Sequence, residues 1–167
     1  MDQLDAADRA IIAQLQRDAR TSVAALAELV GLTPTPLRAR LERLEASGVI
    51  RGYHADVDPA HVGRPVMAFV HVTMRDHSRE SHRRFVKALS AMTDVIEVHH
   101  IAGEEDFLLK VLVESVGAFE AFLLERLTSV AGIGRVKTTF VLSSSKHRAA
   151  VPVGEEPRQT APKRRSP

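Results

Sequence analysis

The segment 31–50 constrains the fold of this chain more than any other, because it reads as a turn, a capped helix and a helix stop. Thr33 is placed to cap the helix through its side-chain oxygen, and Pro34 stands where a missing N–H costs nothing. Gly48 is suited to close the helix in the left-handed conformation that other residues avoid. Three leucines at helical spacing predict one buried face, namely Leu37, Leu41 and Leu44.

The other side of this helix is predicted to point outward and carries Thr35, Arg38, Arg40 and Arg43. A rigid helix that presents hydroxyl and guanidinium groups suits the major groove of DNA. A short helix over 22–30, opened by Thr21 or Ser22, precedes it, and only a turn at Gly31 separates the two helices. This spacing predicts helix-turn-helix geometry.

A third helix is predicted from Ala6 to Asp18, with Asp5 as its cap and one apolar face of Ile11, Ile12 and Leu15. Three helices of this size can share one small core. An ordinary three-helix bundle with a hydrated arginine face remains open at this point, because helix-turn-helix spacing in a single sequence gives many false positives.

The bulk composition excludes several classes of protein. The 167 residues contain no cysteine, so disulfides, thiolate metal sites and cysteine nucleophiles are ruled out. No run approaches the roughly 20 apolar residues of a membrane span, and the acidic start predicts no secretory signal. Six basic and two acidic side chains lie from Lys146 onward, so this end carries +4 and the first 145 residues carry −2. Any affinity for DNA must therefore come from local arrangement rather than from bulk charge.

The second half alternates between strand and helix patterns. Strands are predicted over 66–74, 95–102, 107–113 and 136–142, with helices over 78–91 and from Ser115 onward. The helix faces are expected to be His82, Phe85, Val86 and Leu89, then Phe119, Phe122, Leu123 and Leu127. The order strand, helix, strand, strand, helix, strand predicts a ferredoxin-like antiparallel sheet with both helices on one face.

The remaining face of the predicted sheet would expose Phe69, His71, His99 and Ile101, and a second subunit is the simplest cover. After residue 147 the chain becomes rich in Pro, Arg and Glu without periodicity, which predicts a flexible basic tail over 148–167. Its Lys163-Arg164-Arg165 cluster either attracts phosphate without specificity or is simply solvated.

Motifs along residues 2–147 resemble the Lrp/AsnC (leucine-responsive regulatory protein, feast/famine) family. The motifs that carry the resemblance lie at 4–12, 18–20, 26–27, 31–36, 44–45, 48–53, 103–110, 132–133, 138, 141–142 and 146. The resemblance implies an α+β protein. Residues 1–51 would form a winged helix-turn-helix, 52–64 an extended linker and 65–147 a ferredoxin-like βαββαβ (RAM) domain that binds effector and oligomerises.

The resemblance implies a cytoplasmic, nucleoid-associated bacterial transcriptional regulator. Its partners would be double-stranded promoter DNA, a homodimer or octamer of itself, and an amino acid or related effector. The DNA-binding residues would be Ser22, Thr33, Pro34, Thr35, Arg38, Arg40 and Arg43. Residues near the start of the helix, such as Arg38, are nearest the base edges, while Arg43 is expected to meet phosphate.

The acidic turn 103–106 is either a plain hairpin tip or one wall of an amino-acid cleft between subunits. In the second interpretation Gly103 admits backbone N–H groups to the ligand carboxylate, and Asp106 pairs with its ammonium group. Thr138, Thr139, Phe140 and Val141 resemble the opposing wall in the family. The full predicted effector set is Ile101, Ala102, Gly103, Asp106, Phe107, Thr138, Thr139, Phe140 and Val141.

No cofactor, metal site or catalytic set is predicted. Adjacent side chains on a strand point to opposite faces, so His99 and His100 are not expected to share one ion, and Glu104 and Glu105 are expected to be solvated. Two alternatives stay open. One is an enzyme of the same architecture, similar to sirohaem decarboxylases, and the other is an architectural DNA-binding protein without effector control.

Overall fold

The computed structural model describes residues 4–146 and 150–154, which fall into two compact units. Of the described residues, 4–55, 146 and 150–154 belong to the first unit, and 56–145 belong to the second. Most of the predicted tail, including the basic cluster at 163–165, lies outside the described residues. No helix among the described residues has the length and apolar character needed to span a membrane.

Three helices form the first unit, as predicted: α1 (Ala6–Arg17), α2 (Val23–Leu29) and α3 (Pro34–Ala46). Asp5 caps α1 in a reciprocal capping box with Asp8, and the Ser22 side chain accepts a hydrogen bond from the Ala25 N–H. Gly48 follows α3 with a φ of 74°, in the left-handed region expected for it. The prediction for Thr33 is wrong in one respect, because its side chain makes no capping hydrogen bond.

The core of the first unit is small and apolar. The fully buried side chains are Ile11, Leu26, Leu37 and Leu44, with Leu41, Ile12 and Leu15 packed partly buried against them. This confirms the predicted inner faces of α1 and α3. Residues 51–58, which include the first part of the predicted linker, contain no strand and lead directly into a short 3₁₀ helix at Pro59–Val62.

The second unit is a four-stranded antiparallel sheet with helices, in the predicted βαββαβ order. Its elements are β1 (Val66–Met74), α4 (Arg79–Ser90), β2 (Val95–His100), β3 (Phe107–Val113), α5 (Val116–Ala121) and β4 (Ile133–Phe140). The strands lie in the order β2-β3-β1-β4. Three predicted bounds are wrong: β2 ends two residues earlier, β4 ends two residues earlier, and β4 starts three residues earlier because Ile133 already pairs with Met74 of β1.

The core of the second unit lies between one sheet face and the helices. Alternate residues of β1 and β3 are buried there, from Ala68 to Met74 and from Phe107 to Val113. Phe85 and Leu89 are buried as predicted, but Val86 is 37% exposed and Ser81 occupies the buried face instead.

After α5 the chain continues as a π-helix over Phe122–Leu127. Its wider turn brings residues five apart, Phe122 and Leu127, into the same core.

The opposite face of the sheet carries half-buried side chains, of which the apolar members are Met67, Phe69, Leu108 and Leu112. His71 and Thr73 lie in the same row of β1. Their Nδ1 and Oγ1 atoms are buried and have no hydrogen-bond partner within the described part of the chain. An apolar face with unsatisfied polar atoms is unusual for a surface that meets only water.

Candidate nucleic-acid interface and effector site

The start of α3 presents its polar side chains to solvent. Thr33, Pro34, Thr35 and Arg38 are all exposed. Arg38 makes no hydrogen bond or ion pair with any residue that the structure describes. A guanidinium that is free on a rigid helix can make a bidentate contact with a base edge or a phosphate at little conformational cost. Ser22, at the start of α2, is also exposed, and its Oγ accepts the Ala25 N–H at 3.2 Å.

Arg40 and Arg43 do not point freely outward, and this part of the prediction is wrong. Arg40 Nη1 lies 2.9 Å from Asp8 Oδ1 and 2.5 Å from Asp5 Oδ2. Arg43 Nη2 lies 2.7 Å from both carboxylate oxygens of Asp8. Asp8 itself is only 1% exposed, so these two guanidinium groups replace the water that its carboxylate loses on burial. Both arginines therefore join α3 to α1.

The charges in this cluster reinforce one another. The pKa of Asp5 is lowered from 3.8, first by the hydrogen bond from the backbone N–H of Asp8 and then by Arg40. Hydrogen bonds to Asp5 and Asp8 in turn raise the pKa of Arg40. Sequence reasoning identified Asp5 as a cap but missed Asp8. Asp8 could have been found from its position, because it is an acidic residue three positions after the cap and on the same helix face as Ile11.

The predicted effector loop closes the end of the sheet with its own hydrogen bonds. The Ile101 N–H donates to the Asp106 carbonyl at 2.9 Å, and the Asp106 N–H donates to the Val72 carbonyl at 3.0 Å. The Asp106 carboxylate accepts the Met74 N–H at 2.7 Å and lies 3.3 Å from Nδ1 of His77. Asp106 is therefore already engaged within its own chain, which the sequence interpretation did not include.

Members of the predicted loop differ in accessibility. Ala102 and Gly103 are exposed, and Ile101 is half-buried. Phe107, which the sequence predicts to contact the effector, is fully buried against Phe85 in the protomer. Glu105 is not free in solvent as expected, because its side chain is 15% exposed and lies 3.7 Å from Nζ of Lys137.

The two predicted walls of the effector site lie at different places along the sheet. Phe107, at the end of the loop, pairs with Val72, whereas Thr138 pairs with Val70 and Phe140 with Ala68. Thr138 and Phe140 face the helices, while Thr139 shares the open face with Phe69. One protomer alone therefore does not bring Thr138, Thr139, Phe140 and Val141 together with the loop 101–106 in one pocket.

A cavity of about 650 Å³ lies beside the loop and was not anticipated from the sequence. It is lined by His77, Arg79, His82, Arg83, Val86, Lys87, His100 and Asp106. The His82 and His100 rings meet with their centroids 4.3 Å apart, and both contact Phe107. The sequence did contain one indication of this cavity, because the basic residues 79, 83 and 87 are four residues apart and therefore share one face of a helix. Among the described residues, no group of three or more His, Asp or Glu is placed to hold a metal ion.

Comparison with known proteins matches both halves of the chain. A winged helix-turn-helix DNA-binding family matches residues 4–51, and the Lrp/AsnC ligand binding domain matches residues 67–151. The chain belongs to the Lrp/AsnC family. It is a DNA-binding transcriptional regulator and not an enzyme, and the comparisons give no support to the decarboxylase alternative.

Individual Lrp/AsnC proteins resemble the chain over most of its length. The DNA-binding transcriptional activator DecR of Escherichia coli (strain K12) is 37% identical over 150 residues, covering 90% of this chain and 99% of DecR. The leucine-responsive regulatory protein of the same strain is 34% identical over 143 residues, covering 86% and 87%. The crystal structure of the Neisseria meningitidis regulator NMB0573 with L-Met has a TM-score of 0.83 at 31% identity, covering 90% and 97%.

Proposed function

We propose that this Lrp/AsnC regulator binds palindromic promoter DNA as a homodimer, with the start of α3 in the major groove. The observation that carries the proposal is the contrast between exposed, unpaired Arg38 and the paired Arg40 and Arg43. Arg38, with Thr33, Pro34 and Thr35 beside it, reads base edges. Arg40 and Arg43 hold α3 in position through Asp8, and Ser22 contacts the backbone from α2.

The dimer is proposed to form through the open face of the sheet. Its apolar side chains and the two unsatisfied polar atoms of His71 and Thr73 support a second copy as the cover. Further association of dimers into an octamer follows the family resemblance. In a bacterial cell such a protein acts in the cytoplasm on nucleoid DNA.

We further propose that an amino acid or a related molecule binds at Gly103 and the neighbouring loop, completed by residues 138–141 of another subunit. The separation of these two walls within one protomer supports a site between subunits. The cationic side chains of Arg79, Arg83 and Lys87 beside the loop favour a carboxylate. The relative NMB0573 was crystallised with L-Met, which supports this class of ligand.

DNA binding is tested by fluorescence anisotropy on the promoter of the protein's own gene and on random duplex. Arg38→Ala should reduce the preference for the promoter by roughly 5- to 150-fold, since one bidentate base contact contributes about 1–3 kcal/mol. Arg17→Ala, which removes an exposed arginine from α1, is the matched control and should leave the preference unchanged. Equal preference in the two variants would contradict the role of Arg38.

Effector binding is tested in the same assay by adding each amino acid in turn. One of them should shift the promoter affinity, and Gly103→Ala should raise the concentration required. Nothing lies within 4 Å of the added methyl group in the protomer, so the variant should fold normally. Gly117→Ala in α5 is the control. A promoter complex that no amino acid alters would favour the architectural alternative.

A further inference from the structure

Helix α1 also lines a surface groove, and its residues Ile12 and Leu15 belong both to this groove and to the packing on the core. Asp8, Ile11 and Leu15 face the other helices. Arg9, Ile12 and Gln16, at spacings of three and four residues, share the adjacent stripe and line a cavity of about 500 Å³. The other walls of this cavity come from Leu4, Leu15, Ala19, Val49, Ile50, Gly52, Tyr53 and His54. We call this surface the α1 groove.

Residues Val151–Gly154 line the open side of the α1 groove. The Gln16 side-chain amide makes two hydrogen bonds with one backbone unit: its Nε2 donates to the Val151 carbonyl at 3.1 Å, and its Oε1 accepts the Val151 N–H at 2.6 Å. Arg9 Nη1 donates to the Gly154 carbonyl at 2.5 Å. These residues belong to the segment 148–167 that the sequence predicts to be a flexible tail.

The contacts have the pattern of peptide recognition rather than of accidental packing. A side-chain amide that pairs with both the N–H and the C=O of one residue imitates a strand neighbour. Pro152 has no N–H to satisfy and fixes the backbone between the two anchors, Gln16 and Arg9. Val153 is half-buried, so the apolar part of the groove receives an apolar side chain. Arg9 also donates to the Leu4 carbonyl at 2.8 Å, which fixes its position.

We propose that the α1 groove is a binding site for a short extended peptide, and that its occupant is the Val151-Pro152-Val153-Gly154 segment of the same chain. The match to the family's ligand binding domain ends at residue 151, so most of this segment lies beyond it. The segment acts as a strap along the groove that α1 forms with Gly52, Tyr53 and His54. The proposal is independent of the operator and of the effector.

The first test measures hydrogen exchange of the Val151 amide by NMR in the full chain. The amide should be protected, and Gln16→Ala should reduce the protection at least roughly tenfold, because two hydrogen bonds are lost. Gln14→Ala is the matched control, since Gln14 donates to Thr21 Oγ1 and not to the strap. Exchange of wild-type Val151 at the rate of an unstructured peptide, or an equal effect of both variants, would overturn the proposal.

The second test asks whether the strap binds the chain to which it belongs. In this test Gln16 is not mutated. The natural sequence has no cysteine, so Ala19→Cys and Ala150→Cys introduce two unique sites for a short bismaleimide. The expected product is cross-linked within one chain, and Ala39→Cys on exposed α3, combined with Ala150→Cys, should give little product. Adding Val151→Pro, which deletes the N–H donor without altering the groove, should reduce the yield several-fold. A product between chains, or an unchanged yield, would overturn the proposal.

The third test uses a synthetic peptide of residues 149–156 and a chain that ends at residue 148. The only tyrosine, Tyr53, lines the groove, and there is no tryptophan, so its fluorescence reports occupancy. The peptide should bind the shortened chain saturably, while the full chain should resist it because its own strap is present at high effective concentration. Equal binding to both chains, binding of a scrambled peptide, or no binding to the shortened chain would overturn the proposal.

Discussion

At the residue scale, Asp8 decides what the arginines of α3 can do. Arg43→Ala leaves the nearly inaccessible Asp8 carboxylate with Arg40 as its only remaining cationic partner among the described residues. We expect a loss of about 1–3 kcal/mol in the unfolding free energy of the first unit, since Arg43 is itself partly exposed. Arg38→Ala should change stability by no more than about 0.5 kcal/mol. Urea unfolding followed by circular dichroism measures both free energies of unfolding. Equal losses of stability in the two variants would contradict the pairing of Arg43 with Asp8.

Tyr53 offers a titration that can be observed directly, because it is the only tyrosine. Its hydroxyl donates to Glu45 Oε1 at 2.8 Å, and partial burial with this carboxylate raises the pKa of Tyr53 from 10 to about 12. A raised pKa favours the neutral phenol in the folded chain, so this contribution to stability is present below pH 10 and is lost as pH rises through about 12.

Phenolate absorbance in the near ultraviolet measures this titration. At about pH 11 roughly a tenth of Tyr53 should be ionised in the folded chain and roughly nine-tenths in the urea-unfolded chain. Glu45→Gln should lower the folded midpoint but leave it above 10, because the contribution of burial remains. A folded midpoint at the unfolded value would show that the hydrogen bond does not form in solution.

At the scale of elements, the turn before β4 depends on one backbone conformation. Gly132 has a φ of 96°, and an added Cβ would lie 3.0 Å from Cε of Met74. Gly132→Ala should therefore destabilise the second unit by about 1–2 kcal/mol. Gly103→Ala, which meets open space and has no positive φ, should change stability by less than about 0.5 kcal/mol. Thermal unfolding of the two variants distinguishes them, and similar midpoints would contradict the prediction.

The elements that sequence predicted well are those whose information is local. The pattern of apolar residues and of helix-capping or turn residues predicted the bounds of α1, α3 and β1 to within about one residue. Each of these elements has its own apolar face and its own start and stop residues in the local sequence. The start of β4 was missed because it is set by pairing with β1, a distant strand. The paired state of Arg40 and Arg43 was missed for the same reason, since Asp8 lies 32 and 35 residues away in the sequence.

The candidate DNA-binding and effector sites likewise have a part that local sequence predicts and a part that depends on distant residues. The exposed start of α3 follows from one helix and was predictable, including Arg38. The arrangement around Asp106 was not, because the Met74 N–H that it accepts belongs to another strand. The cavity lined by His82 and His100 combines one helix with one strand, and no local pattern in the sequence connects them.

At the scale of the whole molecule, the open face of the sheet should control self-association. Phe69→Lys places a charge in the middle of this face, which we expect to raise the dimer dissociation constant at least about tenfold. Leu124→Lys is the control, because Leu124 is 62% exposed and lies on the helical segment after α5. Sedimentation velocity with circular dichroism measures mass and folding. Unchanged mass in a folded Phe69→Lys variant would exclude this face as the interface.

The position of residues 150–154 has a practical consequence for labelling. A dye attached at Ala150 stands only one residue from Val151, whose backbone is held by Gln16 of α1. Although position 150 follows the sensing unit in the sequence, the dye would monitor the helices that meet DNA. Energy-transfer experiments that assign a carboxyl-terminal fluorophore to the sensor would therefore attribute its signal to the wrong half of the protein.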